Sequence, residues 1–133
     1  MTDVGRVLLA DDEPTFVGAT AELLRVEGFA CDTVGDADGA LAALASGDFD
    51  LLISDPEMPG NGDLRLIREV AERGDSLPVI ILTGYPSVRS AVACIELPVA
   101  AYLTKPVEFP HLLAKSREAV SRFRSYKTMQ QAE

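Results

Sequence analysis

Two kinds of hydrophobic spacing alternate along this chain. Short unbroken apolar runs recur, each too short for an independent helix, and amphipathic stretches lie between them. That is the βαβ pattern of a parallel sheet covered on both faces by helices. Arg6 to Ala10 reads as the first strand. Pro14 suits the first turn of a helix whose apolar positions Phe16, Ala19, Leu23 and Leu24 share one face, and Gly28 stops it. Phe29 to Val34 is a second strand, and Ala37 to Ser46 a short Ala-rich helix ending at Gly47. Leu51, Leu52 and Ile53 form an unbroken run, as expected of a central strand buried on both faces, which stops at Asp55. Pro56 to Gly62 is too dense in turn formers for regular structure. A helix follows with Leu64, Ile67, Val70 and Ala71 on its buried side and Gly74 after it. Pro78 to Leu82 is a fourth strand, Ser87 to Glu96 a helix, and Ala101 to Leu103 a brief fifth strand. From Phe109 the chain reads as helical to near its end, with Leu112, Leu113, Ser116, Ala119, Val120 and Phe123 on one face.

Length and composition narrow the class. A chain of 133 residues, 47% apolar and 25% charged, is one globular domain with one sizeable core. Twenty-one acids against twelve bases give a net charge of −9, which disfavours a nucleic-acid partner held through phosphate contacts. The apolar run near the N-terminus is broken by acids and too short for a signal-peptide core or a membrane span, so a cytoplasmic protein with no membrane partner is expected. Cys31 and Cys94 have no CxxC spacing and His111 has no neighbouring ligands, so neither a disulfide framework nor a zinc site is expected.

The chemistry lies at the strand ends. Ligands of an open parallel sheet bind beyond the carboxyl edge, where strand order reverses. After the first strand come Asp11, Asp12 and Glu13; after the third, Asp55; after the fourth, Thr83; after the fifth, Lys105. Taken singly, such an Asp is ordinarily a cap or turn residue, Thr83 a helix cap and Lys105 a solvated charge. Their joint occurrence at one edge, each after an apolar strand, favours a site. Clustered carboxylates repel unless a cation neutralises them, and oxygen donors without His or Cys suit Mg²⁺ or Mn²⁺. A carboxylate, a divalent ion, a lysine and a hydroxyl around one point can bind a phosphoryl group, with one carboxylate as the nucleophile.

The segments VLLADDEP, LLISDPEMPGNGDL, LTG and YLTKP, in that order, resemble the receiver domain of two-component response regulators over about residues 5 to 121. The resemblance implies a flavodoxin-like α/β fold, (βα)5, with a doubly wound five-stranded parallel sheet of order 2-1-3-4-5. It implies Asp55 as phosphoacceptor from a histidine kinase or histidine phosphotransfer protein, controlling an output domain or downstream protein. Asp12 and Asp55 become Mg²⁺ ligands, with the backbone carbonyl of Glu57 as a third and Asp11 acting through water. Lys105 pairs with phosphoryl oxygens, Thr83 is the switch hydroxyl, and Tyr102 is the switch aromatic that turns inward as Thr83 moves. The face of the fourth helix, fifth strand and fifth helix is then repacked. Lys105-Pro106 matches a position where the family has a cis peptide. Such a chain is a signalling phosphoacceptor, catalysing only its own phosphoryl transfer and dephosphorylation.

Some positions depart from the family. Pro56 has no N–H to face a phosphoryl group, which predicts a shorter-lived aspartyl phosphate, and Glu57 adds an acid beside the site. Leu97-Pro98-Val99 stands where the family usually has Gly-Ala, so the fourth helix must end without a left-handed residue. Gly84 keeps the small residue expected after Thr83, and Tyr85 beside it could gate water. Residues 122 to 133 read as an extension of the last helix, either a solvated end or a connector or homodimer contact. Two other functions are compatible with these residues: a receiver-like interaction module that is never phosphorylated, and a Mg²⁺-dependent phosphohydrolase with Asp55 as nucleophile. A flavin domain of this topology is disfavoured, because acids stand where its phosphate loop needs Ser, Thr and Gly.

Overall fold

The computed structural model describes residues 4–132. Five parallel strands, β1 (Arg6–Ala10), β2 (Ala30–Val34), β3 (Leu51–Ser54), β4 (Val79–Thr83) and β5 (Val99–Thr104), lie in the order β2-β1-β3-β4-β5. The helices between and after them are α1 (Pro14–Val26), α2 (Ala37–Ser46), α3 (Arg65–Glu72), α4 (Val88–Glu96) and α5 (Phe109–Ala132). Every crossover is therefore a helix, as parallel pairing requires.

Each central strand is apolar on both faces because each face meets helices. On one side Leu8, Leu52 and Ile81 pack with Leu44, Leu66, Ile67 and Val70. On the other, Val7, Leu9, Ile53 and Ile80 pack with Leu24, Leu112 and Val120. Truncating Leu52, fully buried, to Ala should cost about 2–5 kcal/mol in lost burial and residual cavity. In α1 the buried residues are Thr20, Ala21 and Leu24; Ala19 is exposed and Leu23 is 45% exposed, so these two are not on the buried face the periodicity assigned them. Gly28, at φ +101°, takes the turn out of α1 in a conformation closed to most L-residues.

The strand ends run slightly differently from the periodicity. Ser54, Thr83 and Thr104 each extend their strands by hydrogen bonding rather than by hydrophobicity, so β3, β4 and β5 reach further toward the carboxyl edge. Beyond β3 the chain makes a single 3-10 turn, Gly62–Leu64, and Leu64 takes the left-handed conformation (φ 57°) immediately before α3. Leu64, Ile67 and Val70 are buried as expected, joined by Leu66, while Ala71 is half-buried. As Pro98 requires, α4 ends in extended backbone at Leu97 (φ −110°, ψ 156°).

One helix, α5, carries the chain past residue 121 with its apolar face continuing through the buried Phe123. The basic residues beyond it turn back onto the domain: Arg124 and Lys127 lie 3.1 and 3.7 Å from the carboxylate of Asp50, which also accepts the Arg6 N–H. Tyr126 and Met129 are exposed. Ser116, fully buried in α5, has an Oγ without a hydrogen-bond partner among the described residues. No helix among the described residues is long and apolar enough to cross a membrane.

Candidate functional site

At the carboxyl edge, β1 and β3 are adjacent, and their ends deliver Asp11, Asp12 and Asp55 to one point. Asp55 N–H donates to the Ala10 carbonyl and Asp11 N–H to the Val34 carbonyl, so the pairing continues one residue past each strand and aims both side chains across the edge. One carboxylate oxygen from each of Asp11, Asp12 and Asp55 lies within 4.8 Å of the others; Asp11 and Asp55 are buried and Asp12 is exposed.

The Lys105 ammonium answers this negative charge. Lys105, following β5, places Nζ 2.7 Å from Asp11, 3.0 Å from Asp55 and 3.1 Å from Glu13. Its backbone N–H donates to the Thr83 carbonyl, its charge sits 4.6 Å from the centre of the Phe16 ring, and the Lys105–Pro106 peptide is cis. Burial acts against the Lys105 charge, but hydrogen bonds to Asp11, Asp55 and Glu13 outweigh it and hold the ammonium well above its ordinary pKa. Asp55 is shifted up. Its burial is the largest influence, and the Glu57 N–H and Lys105 oppose without cancelling it, while Asp11 adds to the rise. The two directions agree physically: one lysine shared among three acids stays charged, while none of the acids has a full counter-charge.

The other expected residues take separate places. Thr83 is fully buried at the end of β4, its Oγ1 accepting the Tyr85 N–H at 3.0 Å. Gly84 would accommodate a methyl in ordinary contact with the Lys105 stem. Glu57 enters the site through its backbone, its N–H donating to Asp55 Oδ1 at 2.8 Å, and its side chain is exposed. Tyr102 is not at the acid cluster. It is half-buried against the core, with its hydroxyl 2.7 Å from Ser90 Oγ in α4. The expected inward turn of Tyr102 therefore meets a side chain that already points inward, because Ser90 gives its hydroxyl a partner there.

Three participants were not singled out from the sequence in these roles. Glu13 belongs to the acid cluster but acts as a third partner of Lys105. Asn61, 4% exposed, donates from Nδ2 to the Pro56 carbonyl and accepts the Leu66 N–H at Oδ1, so it holds the loop after Asp55 against the start of α3. Ser90 holds Tyr102. Glu13 left a trace as the third acid after the first strand and Asn61 as an Asn among turn formers, whereas Ser90 left none.

The donor set tests whether a metal fits. Three carboxylates, with no sulfur or imidazole among them, are hard oxygen donors suited to Mg²⁺. Asp11, Asp12 and Asp55 are the residues that would hold it.

Comparisons with known proteins agree with this arrangement. The chain is 33% identical over 119 residues to the DNA-binding transcriptional regulator NtrC of Salmonella typhimurium, covering 90% of this chain and 25% of that protein. It is 33% identical over 117 residues to the transcriptional regulatory protein TcrA of Mycobacterium tuberculosis, covering 88% and 46%. The chain thus spans between a quarter and about half of these curated relatives. Among solved structures, a CheY-like receiver domain protein from Methanospirillum hungatei superposes with a TM-score of 0.87 at 25% identity, covering 95% of this chain and 99% of that one. The response regulator TrrA of Thermotoga maritima, solved in complex with Mg²⁺-BeF, gives a TM-score of 0.77 at 32% identity, covering 90% and 99%. The family model for the response regulator receiver domain matches residues 7–117, and the chain, with its strand order and its acid cluster at the carboxyl edge, belongs to that family.

Proposed function

We propose that this domain is a phosphoacceptor of a two-component relay, phosphorylated on Asp55 with Mg²⁺ by a histidine kinase or histidine phosphotransfer protein. The observation that carries the reading is the buried Asp55 carboxylate beside Asp11 and Asp12, with the Lys105 ammonium 3.0 Å away. A carboxylate oxygen of Asp55 attacks phosphorus; the P–O bond forms as the P–N bond of the phosphohistidine breaks, and the imidazole leaves. Lys105 exchanges its contact with Asp55 for the arriving phosphoryl oxygens while keeping its hold on Asp11. Bound Mg²⁺ would supply charge neutralisation of those oxygens. Hydrolysis of the acyl phosphate by water resets the site.

Thr83 is the group through which the new charge is sensed. Its hydroxyl can donate to an oxygen beyond β4, since its present bond is one it accepts. That draws the Thr83 to Ser87 segment toward Asp55 and alters the face of α4, β5 and α5, to which an output domain or downstream protein responds.

Intact mass spectrometry after incubation with acetyl phosphate and Mg²⁺ tests this reading beside Asp55→Asn and a metal-free control. One phosphoryl adduct, absent from both controls, is the expected result. A folded, metal-binding protein without an adduct would replace the proposal with that of an unphosphorylated interaction module.

A further inference from the structure

Thr83 and Tyr102 lie on adjacent strands, with Thr83 paired to Thr104 and Ile81 to Tyr102. What joins them to α4 is Ser90. Ser87 is the N-cap of α4 and Ser90 stands at its third helical position; the Ser87 Oγ accepts the Ser90 N–H at 3.1 Å, and the Ser90 Oγ accepts the Ser87 N–H at 3.3 Å. A reciprocal box of this kind ordinarily uses Glu or Gln at the third helical position, whose long side chain reaches back to the N-cap N–H. Here the short Ser90 side chain is 7% exposed, and its Oγ also lies 3.0 Å from Ser87 Oγ, 3.1 Å from the Ser87 carbonyl and 2.7 Å from the Tyr102 hydroxyl. One oxygen thus serves the cap of the helix and the aromatic of β5 together.

The connection to the acceptor edge is short. Only Gly84, Tyr85 and Pro86 separate Thr83 from Ser87, and within this loop the Tyr85 N–H donates to Thr83 Oγ1. A displacement of Thr83 has little slack in which to die out before it reaches the cap. At the cap it meets the oxygen that holds Tyr102.

We propose that Ser90 is the positioning residue of the switch: its hydroxyl ties Tyr102 to the first turn of α4, so that aromatic and helix start move as one unit. The inference deepens the phosphoacceptor reading and rests on it for the identity of the signal, but the latch itself exists in the unmodified protein. Tyr102→Phe removes a single oxygen twelve residues from Ser90 and should leave the core intact. Its expected signature is local: amide exchange at Ser90 and Ala91, whose N–H groups donate to Ser87 Oγ and the Ser87 carbonyl, accelerates about fivefold relative to core amides of β1 and β3, on the scale of one lost hydrogen bond. In protein carrying 3-fluorotyrosine, Ser90→Ala should shift the fluorine resonance of Tyr102 and leave those of Tyr85 and Tyr126 in place. Ser90→Thr, which keeps a hydroxyl, should restore it. Unchanged exchange at Ser90 and Ala91 in Tyr102→Phe, or an unmoved Tyr102 resonance in Ser90→Ala, overturns the latch.

A second arm adds Mg²⁺ and beryllofluoride. In the wild type, exchange should respond both at Glu57, beside the acceptor, and at Ser90 and Ala91. In Tyr102→Phe and Ser90→Ala the response at Glu57 persists while that at α4 is lost. A response at α4 that survives both substitutions refutes the coupling. Silence at Glu57 in the wild type counts against the acceptor reading instead, and the comparison without ligand still decides the latch.

Discussion

Replacing the buried Asp55 carboxylate with its neutral isostere should stabilise the metal-free protein, although it breaks a buried salt bridge. Asp55 lies 3.0 Å from the Lys105 ammonium, an attraction of about 5.5 kcal/mol at an effective dielectric of ~20. The same carboxylate lies within 4.8 Å of oxygens of both Asp11 and Asp12, and each such repulsion is at least about 3.5 kcal/mol on the same scale. Asp12 is exposed and its share is screened, so the two repulsions roughly offset the attraction. The cost of burying an ionised carboxylate then decides the sign. Asp55→Asn removes that cost, keeps an oxygen for the Glu57 N–H, and leaves Lys105 with Asp11 and Glu13. We expect a gain of about 1 kcal/mol. At an unfolding entropy of about 2.1 cal/mol/K per residue, that raises Tm by about 4 °C.

Magnesium should reverse the order. An ion bound only by the folded protein adds about 2.7 kcal/mol at a hundred times its Kd, or about 10 °C here by the same conversion. Asp55→Asn, having lost one of its three carboxylates, should gain far less. The assay is thermal unfolding followed by circular dichroism, with EDTA and across a Mg²⁺ series. The two melting curves should cross as Mg²⁺ rises. A variant that melts several degrees below the wild type in EDTA would refute the reasoning, since Asp55 would then be an ordinary salt-bridge partner whose charge is fully compensated.

Three further outcomes are expected. Burial tends to raise the Asp50 carboxyl, but the Arg6 N–H, Arg124 and Lys127 outweigh it and hold its pKa below the ordinary 3.8; its stabilisation is therefore complete above that pH and lost as pH falls through the depressed folded value. Asp50→Asn should cost about 1.5–3 kcal/mol at neutral pH, typical of one charge-assisted hydrogen bond, and urea titrations across pH should show the two proteins converging in acid; a gap that persists there contradicts the assignment. Ser116→Ala deletes a buried hydroxyl without a partner and improves helix propensity, so it should stabilise by about 1 kcal/mol in chemical denaturation; an unchanged or lowered midpoint would mean the hydroxyl is satisfied. Pro56→Ala supplies an N–H beside the acceptor and should lengthen the half-life of the aspartyl phosphate severalfold, measured by loss of the mass adduct, and an equal half-life sinks that idea.

What could be read from the sequence was whatever follows from position along a strand. A short apolar run such as Leu51 to Ile53, bounded by turn formers, reads as a buried strand, and the polar residue that ends it then emerges at the sheet edge. Asp11, Asp12, Asp55, Thr83 and Lys105 were therefore found without knowing any distance, because in a parallel sheet all carboxyl ends share that edge. The periodicity of α1 was weaker evidence, since Leu23 and Leu24 are adjacent and only one of them faces the sheet. Side-chain hydrogen bonds between elements were invisible in the pattern. Ser90 looks like any helical serine, and nothing within a few residues of it announces Tyr102; the contact exists because β5 runs beside β4 and α4 starts a few residues beyond β4. The same holds for Asn61, whose two bonds span five residues each way to Pro56 and Leu66. The division has a functional side. The residues of the proposed acceptor site sit on strand ends, where fold and pattern jointly specify them. The residues proposed to convert its chemistry into movement lie where a helix start meets a strand, as Ser90 of α4 meets Tyr102 of β5. Receivers that share the acid cluster can therefore differ in their wiring, and the distinctive behaviour of this one should be sought around Ser90 and Tyr102 rather than at Asp55.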